Sequence, residues 1–160
     1  MEHCVTCELI ERRAAGKSPL WDDIYHTPYW TVVHSFNTSL PGWLPLICNR
    51  HIGAIDEMTA AEAADLGLLL RRVSIALREA VGCTKTYVAQ FAEAAGHQHV
   101  HFHVVPRMAD QPDDHRGPNI FKYLGASEAD RVSETRMNEV ATVIRRILVA
   151  QDAVADQQTT

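Results

Sequence analysis

The sequence predicts an α+β domain: an antiparallel sheet of about five strands, one long helix packed on a face of that sheet, and a C-terminal helix. Three observations predict it. From His99 to Val105 polar and apolar residues alternate, the period-two signature of a half-buried strand. From Thr59 to Val81 apolar residues recur at helical spacing behind Thr59-Ala60-Ala61-Glu62, a capping-box pattern. Residues 84–92, rich in Thr, Tyr, Val and Phe, precede the alternating stretch by a short turn, so the two segments form an antiparallel meander.

The chain of 160 residues is long enough for one domain with a sizeable core, expected over residues 1–150, followed by a polar tail at 151–160 that frays. A hydrophobic content of 46% and a charged content of 22% describe an ordinary globular protein. No apolar run approaches the length of a membrane span. Met1-Glu2-His3-Cys4 lacks a basic-then-apolar leader, so a cytoplasmic location is expected. The net charge of -5 argues against a nucleic-acid polymer as partner. The arginine pairs Arg12-Arg13, Arg71-Arg72 and Arg145-Arg146 read as solvated helix faces.

In chain order, Cys4-Val5-Thr6-Cys7 places two thiols on one tight turn, half of a tetrahedral zinc site. A redox pair or two core thiols would give the same pattern. Cys48 and Cys83 stand alone among apolar neighbours and read as buried thiols. Residues 22–26 and 30–36 read as strands separated by a turn at Thr27-Pro28. Residues 35–42 form a turn-rich loop, and 43–48 resume an apolar strand. The helix at 59–81 carries Leu66, Leu69, Leu70, Val73, Leu77 and Val81 on one face, and Gly82 stops it. Residues 108–117 are polar and read as a loop. Ser127 to Asp130 could cap a last helix, with Val132, Val140, Val143, Ile144, Ile147 and Leu148 as its apolar stripe.

The chemistry concentrates at 97–103. Alternate residues of a strand share a face, so His99, His101 and His103, with His97 if the strand begins that early, form a row opposite Val100, Phe102 and Val104. Neutral imidazole can attack, accept a proton or bind a metal, and imidazolium can hold an anion. A solvent face rich in His is the bland alternative. A metal sensor built from the row itself fits less well, because ligands in a line do not converge on a point.

His99-Val100-His101-Phe102-His103-Val104-Val105 resembles the signature of the histidine triad (HIT) superfamily: His, apolar, His, apolar, His, apolar, apolar. The resemblance, closest to bacterial proteins like the diadenosine polyphosphate hydrolases, implies a nucleotide hydrolase or nucleotidyl transferase. Its substrate would be a small nucleotide conjugate, a diadenosine polyphosphate or a nucleoside phosphoramidate. It implies that His101 is the nucleophile, that His103 binds the α-phosphate oxygens, and that His99 binds zinc or supports the ring of His101. By the same resemblance Gln90 meets the substrate phosphates and Asn37 the ribose, although a turn former is an equal reading for Asn37. Cys4 and Cys7 would share a structural zinc with His51 and His99, and the protein would be a homodimer.

Two departures stand out. Cys48 replaces the proline usual before the Lys-Arg-His of relatives. The hydroxyl residue that relatives carry shortly before the first His, where it helps protonate the leaving group, is missing, since Gly96-His97-Gln98 runs straight into His99. His97 or Gln98 could substitute, with an exposed turn residue as the plain alternative for His97. The missing hydroxyl also keeps open a non-catalytic zinc- and nucleotide-binding module.

Overall fold

The computed structural model describes residues 4–157, with side chains through Val154. Five strands, β1 (Tyr25–His26), β2 (Trp30–Val32), β3 (Leu44–Cys48), β4 (Lys85–Ala89) and β5 (His101–Arg107), form one sheet in the order β1-β2-β3-β5-β4, every neighbouring pair antiparallel. The expected α+β class and five-strand sheet are both present.

Strand alternation divides the sheet into two faces with different duties. Leu46 pairs with Phe102 and Leu44 with Val104, and these residues point into the main core. Pro45 pairs with His103 and Ile47 with His101, and these point to the opposite face. One strand therefore buries an apolar side and offers an imidazole side.

Helix α2 (Ala60–Val81) covers the core face through Leu66, Leu69, Val73, Ala76 and Leu77. Thr59 Oγ1 accepts from the Glu62 amide, and the Glu62 carboxylate accepts from the Thr59 amide, so the capping box is complete. Gly82 ends the helix in the left-handed region, φ 69°. Each large aliphatic side chain buried here contributes roughly 1.5–3 kcal/mol. Gly42, in the loop before β3, has φ +89°, and a Cβ there would stand 2.9 Å from Leu77 Cδ1. That close approach requires glycine.

Helix α3 (Glu134–Gln157) packs beside α2 through Val140, Ala141, Ile144 and Leu148. It begins later than the Ser127–Asp130 start expected from the sequence. Ser127 Oγ instead donates to Asp130 Oδ2 within a turn, and Ser133 Oγ accepts the Arg136 amide at 3.2 Å. The helix also runs seven residues past position 150. Arg72 bonds Gln151 and Asp152, and Tyr25 donates to Asp152, which ties down the start of the segment expected to fray. Residues 158–160 of that segment lie outside the described residues.

Other boundaries moved for local reasons. Helix α1 (Val5–Ala14) occupies a stretch in which only a turn was expected, and it lies against the imidazole face. Residues 33–36 leave the ladder that β2 begins, although Val33 and Ser35 still donate to the carbonyls of Pro45 and Trp43. Strand β5 continues through Pro106, which pairs with Thr86 of β4 beyond the last β3 pairing at Val104, so its missing N–H breaks no ladder. Residues 108–133 contain two short 3-10 segments, and Ile120 joins Trp43, Leu40 and Val105 in a second, smaller core.

The arginine pairs are not simply solvated. Arg13 is 6% exposed and forms an ion pair with Asp22 at 2.6 Å. Arg72 bridges Tyr25 and Asp152, and Arg145 donates to the Ile24 carbonyl. In each pair at least one guanidinium is spent on a tertiary contact, and in the first pair Arg12 reaches Asp22 as well, at 2.7 Å, which helical spacing alone does not reveal. Cys48 and Cys83 are buried, as expected.

Candidate functional site

The imidazole face of the sheet and helix α1 enclose a cavity of about 250 Å³. Its floor comes from alternate residues of β5, β3 and the chain after β2: His101, His103, Ile47, Pro45 and Val33. Thr6, Leu9 and Arg13 of α1 form the opposite wall, and His97, His34, Ser35 and Asn37 reach it from loops. Residues at i, i+3 and i+7 share one helix face, so α1 presents one stripe to the cavity.

His101 and His103 pack edge to face, ring centroids 4.8 Å apart. Their hydrogen bonds assign them opposite tautomers. His101 Nδ1 lies 2.8 Å from the His99 carbonyl, an acceptor only, so Nδ1 carries the proton and Nε2 a lone pair. His103 Nδ1 lies 3.0 Å from Trp43 Nε1, a donor only, so Nδ1 accepts and Nε2 carries the proton. Burial pushes the His101 ring below its ordinary range, partly opposed by its bond to the His99 carbonyl. Burial, with the neighbouring His101, pushes His103 down to about 4. At neutral pH the pair therefore offers one nitrogen lone pair and one N–H donor side by side.

The expected row of four is divided. His97 joins His101 and His103 at the cavity, with Nδ1 3.0 Å from Thr6 Oγ1. His99 is fully buried and does not line the cavity. The chain bends there before β5 begins at His101, and the ring turns toward α1. His99 serves His101 through its carbonyl rather than its ring.

That turn brings His99 to Cys4, Cys7 and His51, whose potential ligand atoms all lie within 4.8 Å of one another. His99 Nδ1 is 3.7 Å from Cys4 Sγ and 3.6 Å from Cys7 Sγ, and His51 Nδ1 is 3.4 Å from Cys7 Sγ. A tetrahedral zinc with ordinary Zn–S and Zn–N bonds separates its sulfur and nitrogen ligands by about 3.6 Å. The four donors therefore fit one such ion. His99 Nε2 donates to the Cys48 carbonyl at 2.7 Å, which leaves Nδ1 unprotonated for a metal, the usual outer support of a ligating imidazole. Burial and the neighbouring Cys4 push the metal-free Cys7 thiol up to about 11, a direction that a bound dication reverses.

Of the other expected residues, Asn37 lines the cavity, its Oδ1 accepting from Ser35 Oγ at 3.0 Å. Gln90 follows β4, half-buried, and is outside the cavity lining. Gln98 is exposed and also outside it, which separates the two candidate replacements for the missing hydroxyl. Sequence reasoning missed Trp43, Thr6, Arg13 and Phe121. Thr6 lies inside the Cys-x-x-Cys turn, so its side chain could have been suspected there. Phe121 packs on Trp43 and His103 at centroid distances of 5.3 and 5.7 Å from a segment without periodicity.

Solved structures of similar fold include histidine triad proteins. A Zn-bound histidine triad family protein from Mycobacterium smegmatis superposes with a TM-score of 0.66 at 20% identity, over 94% of this chain and 96% of that one. A hypothetical histidine triad nucleotide-binding protein from Sulfolobus tokodaii gives a TM-score of 0.66 at 15% identity, over 90% and 93%. A histidine triad protein from Bradyrhizobium japonicum gives 0.65 at 22% identity, over 79% and 89%. No curated protein matches by sequence. The HIT domain model matches residues 22–110, more than half of the chain, including His51, the 97–103 segment and β3 beside it. With the His101–His103 pair set on that matched strand, the chain belongs to the HIT domain family.

Proposed function

We propose that this protein is a nucleotide hydrolase or nucleotidyl transferase acting at the α-phosphorus of a small nucleotide conjugate, of the diadenosine polyphosphate or nucleoside phosphoramidate class. The observation that carries this reading is the opposite tautomers of His101 and His103 in one cavity. His101 Nε2 attacks phosphorus in line, and the bond to the leaving oxygen or nitrogen breaks. The ring becomes cationic as it bonds phosphorus, and the Nδ1–H bond to the His99 carbonyl strengthens with that charge. His103 Nε2–H donates to an equatorial phosphate oxygen, where negative charge gathers.

His97, held by Thr6, supplies the proton to the leaving group in place of the missing hydroxyl. Water then attacks the phosphorus and gives a proton back to His97, the bond from phosphorus to His101 Nε2 breaks, the mononucleotide leaves, and both rings return to their starting forms. Asn37 binds the ribose through its amide nitrogen, since its oxygen is engaged by Ser35. Gln90 reaches the phosphates only when a substrate extends beyond the cavity toward the end of β4.

Cys4, Cys7, His51 and His99 hold one structural zinc, which clamps the start of α1 to the segment carrying His97 and His99. The clamp already has a backbone bond, Val5 N–H to the Gly96 carbonyl at 2.8 Å. Among the described residues no helix is long and apolar enough to cross a membrane. A homodimer is supported by β4, an edge strand on which Val88 is 48% exposed, with Phe91 just beyond it at 58%.

The test is incubation of purified protein with diadenosine polyphosphates and nucleoside phosphoramidates. Release of mononucleotide is expected. Binding without turnover of any conjugate would identify a nucleotide-binding module instead.

A further inference from the structure

We propose that Cys4 and Cys7 are a redox-sensitive latch on the cavity: a hydroperoxide oxidises the two thiols to a disulfide, zinc departs, and helix α1 swings free of the sheet. The inference goes beyond the nucleotide reading and does not depend on it. Its first support is the way α1 is held. Only Thr6 and Arg13 of this helix are buried, and both are polar. Among the described residues, neither hydrophobic core includes a residue of α1. Yet Thr6, Leu9 and Arg13 form the wall that faces His101 and His103. A helix without a buried apolar stripe has little packing energy of its own, and it opens by local motion unless it is tethered.

The tethers lie at its two ends. Arg12 and Arg13 grip Asp22 at 2.7 and 2.6 Å, which fixes the C-terminal end to the chain that follows. At the N-terminal end, Val5 N–H donates to the Gly96 carbonyl at 2.8 Å, and Thr6 Oγ1 lies 3.0 Å from His97 Nδ1. Each of these is a single hydrogen bond of modest net strength. The remaining N-terminal tether is the metal site. Cys4 caps α1 and Cys7 lies in its first turn, whereas His51 follows β3 and His99 precedes β5. Zinc is therefore the strong link between this end of the helix and the sheet.

The two thiols are placed to react with each other. Cys7 N–H bonds the Cys4 carbonyl at 3.1 Å, a tight turn that holds the Cα atoms within about 7 Å, the reach of a disulfide. Their sulfurs are among ligand atoms that all lie within 4.8 Å of one another, and neither residue is buried. Cys48 and Cys83 are buried, which shields them from a peroxide. In the reaction one thiolate attacks a peroxide oxygen, the O–O bond breaks, and the sulfur becomes a sulfenic acid. The other thiolate attacks that sulfur, the S–S bond forms, and hydroxide leaves. Two electrons pass from the sulfurs to the peroxide, and two protons from solvent complete two waters from hydrogen peroxide. The disulfide closes within one turn of α1 and holds nothing of the sheet. His51 and His99 alone are too few ligands to retain the metal, so the latch is open.

The experiment treats the zinc-loaded full chain with excess hydrogen peroxide. A chelating dye should record release of the zinc, and peptide mass mapping should find a Cys4–Cys7 disulfide with Cys48 and Cys83 still reduced. Amide hydrogen exchange at residues 9–14 should speed by about tenfold or more while α2 keeps its protection. Dithiothreitol with added zinc should restore slow exchange. Cys7→Ser, which cannot form the disulfide, should exchange fast at residues 9–14 with or without peroxide. Zinc retained over two reduced thiols, oxidation confined to Cys48 or Cys83, or unchanged protection of α1 after the disulfide forms overturns the latch. Equal loss of protection in α2 marks global unfolding and overturns it as well.

Discussion

Trp43 Nε1 donates to His103 Nδ1 at 3.0 Å, from an indole that is fully buried and packs edge-on to the imidazole. This bond selects which nitrogen of His103 faces the cavity with a proton. Trp43→Phe should keep the ring packing and lose the selection. Turnover of a nucleotide conjugate should fall about tenfold, the worth of one neutral hydrogen bond of roughly 1–1.5 kcal/mol. Steady-state kinetics should show the loss in kcat more than in KM.

Removing the nucleophile should be far more damaging. His101→Asn keeps some hydrogen bonding and cannot form the adduct, so kcat should collapse while mononucleotide binding persists. His103→Asn should lose on the order of 3–4 kcal/mol of transition-state stabilisation, as loss of an oxyanion donor does. Mass spectrometry after denaturation at alkaline pH, where a phosphorus–nitrogen bond survives, should find the nucleotidyl group on His101. Near-native turnover by His101→Asn would refute the mechanism, and an adduct on His97 would reassign the nucleophile.

Purified without chelator, the protein should contain one zinc per chain by elemental analysis. Chelation should lower Tm, because metal binding in such sites is folding free energy, roughly 10–16 kcal/mol in isolated zinc peptides against a typical domain stability of about 5–15 kcal/mol. Cys7→Ser should abolish the stoichiometric metal. Metal-free protein with an unchanged Tm would remove zinc from the account.

His34 predicts an acid-side loss of stability. The ring is buried, with Nδ1–H donating to the Ser35 carbonyl at 2.7 Å and Nε2 accepting the Gly42 amide at 2.9 Å. Burial lowers its pKa from 6.5 to about 4, so folding favours the neutral ring. The contribution is complete above pH 6.5 and is lost as pH falls toward 4, to a total of about 3 kcal/mol. Urea unfolding from pH 7 to 4 should show a shallower decline for His34→Gln than for the native chain. The decline should not vanish, because His103 is shifted in the same direction.

Light scattering should give twice the chain mass of 17.9 kDa. Val88→Lys, on the exposed side of edge strand β4, should shift the mass toward one chain. A native mass of one chain at physiological salt would contradict the dimer.

Local signals carried much of the architecture. The capping box at Thr59 and the left-handed Gly82 bound α2 where the sequence places it, because both act through backbone bonds within a few residues. The C-terminal helix start was misplaced because Ser127 and Asp130 close a turn of their own, a choice open to any short polar segment. Helix α1 escaped notice because the apolar residues of Val5–Ala14 are interleaved with charges, and its position depends on Asp22 beyond its end and on Gly96 and His97 far along the chain.

The period-two alternation by itself determined that His101 and His103 share a face opposite Phe102 and Val104, because strand geometry permits nothing else. Only the tertiary structure decided what each imidazole does. His99 leaves the row because the chain bends before β5 and its ring meets Cys4, just before α1, and Cys7 in its first turn. The tautomers of His101 and His103 are set by the His99 carbonyl and the Trp43 indole. The proton of a histidine goes where its partners require, and one of these partners lies sixty residues away in the chain.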